Sequence, residues 1–575
     1  MNYDKYPVTK ISTDTVQAWS GYDSILNRLR EAVREKSRNG KCVLAVETYP
    51  GVDEQELIPA LEALGPQLVL DTRRTLCSKE EFQQRIYPFL TDDRVFGRMF
   101  YGTFEDFQQP QQVEALRKEA EEASGLVIVW GMGAAELIEP DVLVYTDMAR
   151  WEIQQRFRKG MPNYYTENGD EDNLKKIKQG YFFEWRMADK LKRKLYDKLD
   201  FYLDTNRPQD PSMLTGEVFR AALRQVVTGP FRTVPYFDPG VWGGQWMKTV
   251  CGLDPQQKNY AWSFDGVPEE NSIYLEVNGV LVESPAINLV FYCPKELLGP
   301  QVYARFGAEF PIRFDFLDTM DGQNLSLQVH PLTDYIHNQF GMNYTQDESY
   351  YILDAKEDAC VYLGLKEEAE PENMLADLRR AQEGGEEFPA ERYVNRFPAK
   401  KHDHFLIPAG TIHCSGKNCM VLEISATPYL FTMKLWDWGR LGLDGRPRPI
   451  HIDHGEKVIQ WDRRTQWVKD NLVDQACVLE ENPAYTEEHT GLHELEFIET
   501  RRYHIREACE LNTENNVNML NLVEGEAAVI ESPTGAFAPF EVHYAETFIL
   551  PAGVGAYTIR PVSEEPVAVV RAYVR

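Results

Sequence analysis

The stretch HFLIPAGTIHCSG (404–416) opens as an apolar run, breaks at Pro408, turns through Ala409 and Gly410, and ends its turn on His413. An apolar run followed by Pro-x-Gly reads as a strand entering a tight reversal. The chain repeats the phrase near its end as LPAGVGAYTI (550–559), with Ala556 where the imidazole stood. Two copies of one turn predict two related β modules, one of which has kept a side chain able to bind a metal.

Working outward, the texture from about residue 235 is strand-like. NSIYLEVNGVLV (271–282), INLVFYC (287–293), LSLQVH (325–330), SYYILD (349–354) and ACVYLGL (359–365) are separated by turns and one helical stretch, EPENMLADLRRAQEGG (370–385). Such spacing predicts antiparallel barrel or sandwich modules. We place one at 235–460, carrying the short helical insertion, and a second, without a metal, at 461–575. The first 205 residues alternate instead. KCVLAVET (41–48), QLVLDT (67–72), GLVIVWG (125–131) and DVLVYTD (141–147) read as strands, and DEQELIPALEAL (53–64) and SKEEFQQRIYPFL (78–90) as helices. That rhythm predicts an α/β domain, a parallel sheet with crossover helices. Pro and Asp cluster in DTNRPQDPS (204–212), and 206–234 reads as a linker region.

At 575 residues the chain is long enough for several domains, and 43% hydrophobic residues exclude disorder. No apolar run reaches the roughly 20 residues of a membrane span, and the first residues lack a signal pattern, so a cytoplasmic protein is expected. A formal charge of -29 argues against nucleic-acid or membrane-surface partners. The nine cysteines are scattered, which fits a reducing compartment; Cys414 and Cys419 read as buried thiols rather than zinc ligands. The sequence leaves the oligomeric state open.

Strand alternation in SLQVHP (326–331) puts Gln328 and His330 on one face. Glu348 begins the next strand, and His413 comes from the turn. Two imidazoles, a carboxylate and an amide oxygen inside a small barrel make an open site for a divalent metal. Zinc is the first choice, while iron, manganese and cobalt share the same ligand types.

These residues also carry a resemblance. FPIRFDFLDTMDGQNLSLQVHP (310–331), DESYYILDAKEDACVYLGLKE (347–367), HFLIPAGTIHCSG, MVLEISATP (420–428) and LWDWGRLGLDGRPRPIHI (435–452) resemble the type I phosphomannose isomerases, and PGVWGG (239–244) is similar to their entry motif. The resemblance spans about 235–575. It implies a zinc-dependent cupin, a jelly-roll barrel, that interconverts mannose 6-phosphate and fructose 6-phosphate. It implies Gln328, His330, Glu348 and His413 as metal ligands and Glu423 as an active-site glutamate. Two positions depart from the family. Gln346 stands where many members have Lys, and Lys434 takes the place of an Arg, six residues before Arg440. Lysine neutralises phosphate as a point charge but lacks the guanidinium fork. Lys434, Arg440 and the nearby Arg446 and Arg448 are the candidate counter-charges to a sugar phosphate.

The N-terminal part, up to about residue 205, resembles P-loop kinases of the uridine-kinase type, with VLAVETYPGVDEQEL (43–57) in the position of the phosphate loop. Aligning Gly51 with the motif's second glycine puts Val52 and Asp53 where Lys and Ser or Thr belong. The resemblance therefore implies a degenerate, non-hydrolysing domain. The expected function is a metal-dependent aldose–ketose isomerase; the alternatives are a metal-bearing sugar or sugar-phosphate sensor and an isomerase of another sugar.

Overall fold

The computed structural model describes residues 2–13, 17–384, 386–426, 429–491 and 493–575, so residue 385 of the helical stretch and residues 427–428 of MVLEISATP lie outside it. The chain forms two units, and neither is continuous. One comprises Val8–Val226 with Ser272–Tyr292, the other Met1–Pro7, Val227–Asn271 and Cys293–Arg575.

The first unit is built on Lys41–Thr48, six of whose eight residues are buried. A strand apolar on both faces needs cover on both faces, which is what parallel sheets with crossover helices provide. The sheet runs Ala18–Ser20, Ser212–Thr215, Phe201–Asp204, Val142–Asp147, Lys41–Thr48, Gly125–Gly131, Leu68–Asp71. The last five are mutually parallel. The first two are antiparallel additions.

Here the structure corrects the domain boundaries. Residues 206–234 are not a linker: Ser212–Thr215 pairs with Phe201–Asp204, and Gly216–Val226 is a helix of the same unit. The Pro and Asp of DTNRPQDPS mark a tight reversal, in which the Asp204 carboxylate accepts the Asn206 amide. The hairpin of Ser272–Val277 and Val280–Pro285 also belongs to this unit and not to a 235–460 domain. Its turn places Asn278 and Gly279 at φ 49° and 80°, the pair of left-handed residues a two-residue hairpin prefers.

The second unit contains two β modules. In the first, a six-stranded sheet (His404–Ile407, Asp347–Ala355, Cys419–Ala426, Arg313–Asp318, Trp262–Gly266, Tyr236–Asp238) accompanies a five-stranded one (Val394–Pro398, Cys360–Leu365, His413–Ser415, Leu327–Val329, Met433–Trp436). The predicted insertion is the helix Pro371–Gln382, started by Pro at its first turn and burying Met374, Leu378 and Ala381 along one face. In the second module a six-stranded and a four-stranded sheet enclose an apolar core, in which Tyr503, Leu520 and Phe548 of one sheet meet Ile530, Val542 and Tyr557 of the other. Among the described residues no helix is long and apolar enough to cross a membrane.

Candidate metal centre

Strand register assembles the site. Gln328 pairs directly with His413 on one side and with Lys434 on the other. Directly opposed residues project from the same face, so these three side chains share one surface of the five-stranded sheet, with His330 just past the strand end. On the six-stranded sheet Glu348 pairs with Ser425, and Glu423 lies between Tyr350 and Asp315. The two surfaces meet at Glu348. Its Oε1 lies 2.8 Å from His413 Nε2 and its Oε2 lies 2.9 Å from His330 Nε2. Gln328 Nε2 is 3.3 Å from His413 Nε2. His330, Glu348 and His413 are buried, and their candidate ligand atoms lie within 4.8 Å of one another, the one such group among the described residues.

Each imidazole is held from behind. His330 Nδ1 donates to the carbonyl of Phe431 at 3.0 Å and His413 Nδ1 to that of Thr411 at 2.8 Å. A carbonyl can only accept, so each Nδ1 carries the hydrogen, and each Nε2 faces Glu348 as a lone pair in the neutral ring or as an N–H in the charged one. Lone pairs facing carboxylate oxygens at these distances repel unless a cation or a proton lies between. Burial alone would lower the pKa of His330, but the Glu348 carboxylate reverses this and raises it. Burial alone would raise Glu348, yet the two imidazoles hold it well below the usual carboxylate range. Two nitrogens, a carboxylate and, with its amide turned end for end, Gln328 Oε1 form a donor set that suits a divalent ion of the zinc type.

Residues around the cluster divide into those the structure gathers and those it does not. Glu423 is 7% exposed. Burial first, then the charges of Glu348 and Asp315, raise its carboxyl well above the ordinary range. Asp315, opposite Glu423, is itself pushed up to about 6, chiefly by burial, with Arg313 opposing. Lys434 is half-buried on the Gln328 face. Arg440 is not gathered. Its Nη2 lies 2.5 Å from Asp437, its Nε bonds the Asp437 carbonyl at 3.1 Å, and its Nη1 bonds the Asn324 carbonyl at 2.8 Å, which commits it to tying a loop ahead of the Leu327–Val329 strand. Arg448 Nε lies 2.9 Å from the same carboxylate, and Arg446 is exposed. Cys414 and Cys419 are buried thiols.

Three further residues belong to the surroundings of the cluster; of these, Gln346 was read from sequence only as a departure from the family, and Asp315 and Tyr350 were not singled out. Gln346 donates its amide to Glu348 Oε2 at 2.8 Å and so orients a candidate ligand from behind. Asp315 and Tyr350 complete the row around Glu423. The signal for Asp315 lay in RFDFLD (313–318), where polar residues alternate with apolar ones inside a buried strand.

In the second module Ala556 occupies the position of His413 and is exposed. The neighbouring Tyr557 fills the core. His543 is bracketed by Glu546 at 3.3 Å and Glu541 at 3.2 Å, apart from any metal-type cluster.

Comparison with known proteins follows the same division. Residues 21–228 match a family model described as a domain of unknown function, DUF8485, which carries no kinase assignment. The chain is 24% identical over 348 residues to mannose-6-phosphate isomerase ManA of Bacillus subtilis, covering 59% of this chain and 98% of that protein. It is 27% identical over 221 residues to mannose-6-phosphate isomerase of Streptococcus mutans, covering 38% and 64%. Its homologues are mannose-6-phosphate isomerases. Among solved structures, the mannose 6-phosphate isomerase from B. subtilis superposes with a TM-score of 0.50 at 18% identity, over 60% of this chain and 100% of that one. This likeness shows a cupin-like fold in the sheet-rich part of the protein.

Proposed function

We propose that the protein is a metal-dependent aldose–ketose isomerase that interconverts mannose 6-phosphate and fructose 6-phosphate. The observation that carries this reading is the buried meeting of His330, Glu348 and His413, with both Nε2 atoms aimed at one carboxylate and both rings pinned through Nδ1. The relatives named above support the choice of substrate. Gln328, His330, Glu348 and His413 would hold the ion, zinc first. A divalent ion there supplies Lewis acidity toward the adjacent oxygens of an open-chain sugar.

The reaction moves a proton between the two carbons next to those oxygens through an enediol. Glu423 is suited to carry it, because burial and two neighbouring acids raise its carboxyl well above the ordinary range, which favours its accepting and returning a proton. Gln346 keeps Glu348 in register. Lys434, on the Gln328 face, offsets the charge of the phosphate. Arg440, with its donors engaged elsewhere, shapes the loop instead.

A second reading, a metal-bearing sugar or sugar-phosphate sensor, draws on the neutral Gln346 and on Lys434 in place of arginine. A coupled assay decides between them. Zinc-loaded and chelator-stripped protein is presented with mannose 6-phosphate, free mannose and other hexose phosphates. Metal-dependent turnover of mannose 6-phosphate, lost in His413→Ala, supports the isomerase. Metal binding without turnover of any of these sugars removes the isomerase and leaves the sensor.

A further inference from the structure

The N-terminal unit holds a cavity that the isomerase reading does not use. Its volume is about 690 Å³, within the roughly 300–1,000 Å³ of small-ligand sites. It sits beyond the carboxyl ends of the neighbouring strands Lys41–Thr48 and Gly125–Gly131. The chain leaving the first goes to Leu68–Asp71 on one side of the sheet, and the chain leaving the second goes to Val142–Asp147 on the other. Where successive connections diverge, a parallel sheet opens a crevice. Two glycines of its wall admit no side chain. Gly51 has φ +94° and a Cβ there would stand 2.7 Å from Ile153; Gly131 has φ +114° and a Cβ there would stand 2.3 Å from the Thr72 hydroxyl.

The walls are wrong for a polyphosphate. The helix Glu54–Glu62 begins at the cavity, but Asp53 caps it by accepting the Gln55 amide at 2.9 Å, and Glu54 and Glu56 add negative charge in its first turn. An incoming phosphate would meet carboxylates where it needs open amides. Three of the four cations that line the wall, all but Lys159, are already matched. Arg73 lies 3.0 Å from Glu54 and 2.6 Å from Asp71. Arg156 lies 3.2 Å from Glu152 and bonds the Gly51 carbonyl at 2.9 Å, while Lys79 lies 2.5 Å from Glu167. The rings of Trp130, Tyr164 and Tyr165 also line it, Arg73 lying over Trp130 and Lys79 over Tyr165.

We propose that this cavity binds an uncharged, polyhydroxylated ligand of hexose size, and not a nucleotide. Each hydroxyl of such a ligand both donates and accepts, which matches a wall of fixed carboxylate–guanidinium pairs whose outer edges offer both. The aromatic rings cover the C–H faces of a pyranose. This site is independent of the metal centre and of its chemistry.

The test is saturation-transfer NMR and calorimetric titration of the full chain with D-mannose and D-fructose, and with ATP and inorganic triphosphate as anionic probes. Metal-stripped His413→Ala protein serves as a second background, so that binding at the barrel is separated from binding here. The expected result is saturable hexose binding that survives in this background and weakens by about tenfold or more in both Glu54→Gln and Tyr165→Ala. Glu54 is on the surface, so its variant stays informative if Tyr165→Ala fails to fold. Loss of hexose binding in the His413→Ala background, hexose binding untouched by Glu54→Gln, no hexose binding at all, or saturable ATP or triphosphate binding would each overturn the proposal.

Discussion

Gln346 gives the sharpest access to the metal centre. The imidazoles lean on backbone carbonyls, which substitution cannot remove, whereas Glu348 leans on the Gln346 amide at 2.8 Å. Both side chains are buried, Gln346 at 3% exposure and Glu348 at 1%. A hydrogen bond to a charged group is worth about 1.5–3 kcal/mol, or roughly 10- to 150-fold in an equilibrium constant. Removing an outer partner of a metal ligand ordinarily weakens the metal by about 10- to 100-fold. The two estimates overlap, so Gln346→Ala should weaken zinc by about 10- to 100-fold. The assay is a competition titration of stripped protein against a chromophoric chelator at pH 7, with turnover of mannose 6-phosphate measured beside it. At saturating zinc, kcat should return to near the wild-type value, because the substitution loosens a ligand without removing one. Zinc affinity within about twofold of wild type would show that Glu348 does not depend on this bond, and the reasoning from the outer layer would fail.

Other expectations follow from the same geometry. Glu423→Gln keeps the shape but cannot accept a proton, so kcat should fall by about 10²- to 10⁴-fold with zinc content unchanged; a kcat near wild type would move the proton transfer to another group. Lys434→Met should raise KM for mannose 6-phosphate by about tenfold or more while Arg440→Ala leaves KM nearly unchanged and lowers the melting temperature; the reverse pattern in steady-state kinetics would return the phosphate to Arg440. The N-terminal unit should weaken as pH rises. Burial lifts Glu47 to about 8, Glu184 to about 7 and Asp204 to about 6, and burial together with Asp204 lifts Glu283 to about 8. Unfolded carboxyls titrate near about 4, so the native unit holds protons that the unfolded chain releases. This contribution is complete below about pH 4 and is lost as pH rises through 6 to 8. Hydrogen exchange of the Lys41–Thr48 strand, corrected for intrinsic rates, should show falling protection over that window, and protection that rises with pH would contradict it.

Much of the metal centre was legible because it is written in local geometry. Strand alternation put Gln328 and His330 on one face, and the Pro-Ala-Gly turn carried His413; the register then brought both to Glu348. Glu423 was visible only through family resemblance, since its raised carboxyl depends on Asp315 and Glu348 from two other strands. The surroundings of Arg440 were hidden for a related reason. A loop arginine is defined by its partners, and Asp437 and Asn324 become its partners only on folding. The linker reading failed because Pro and Asp signal a change of direction without saying how soon the chain returns to a sheet. Which unit the 272–285 hairpin would join is not encoded in its periodicity at all.

The two Pro-Ala-Gly turns lead to barrels with opposite internal economies. One module fills its interior with interlocking rings and aliphatic groups, and it owes its solidity to nothing outside the chain. The other gathers carboxyls, imidazoles and a guanidinium in the space where such rings would go, a charged interior that, on the proposed function, an ion would hold together. Withdrawing the metal should therefore split one cooperative melt into two, with the metal-bearing module yielding first and the silent repeat holding its amide protons longest.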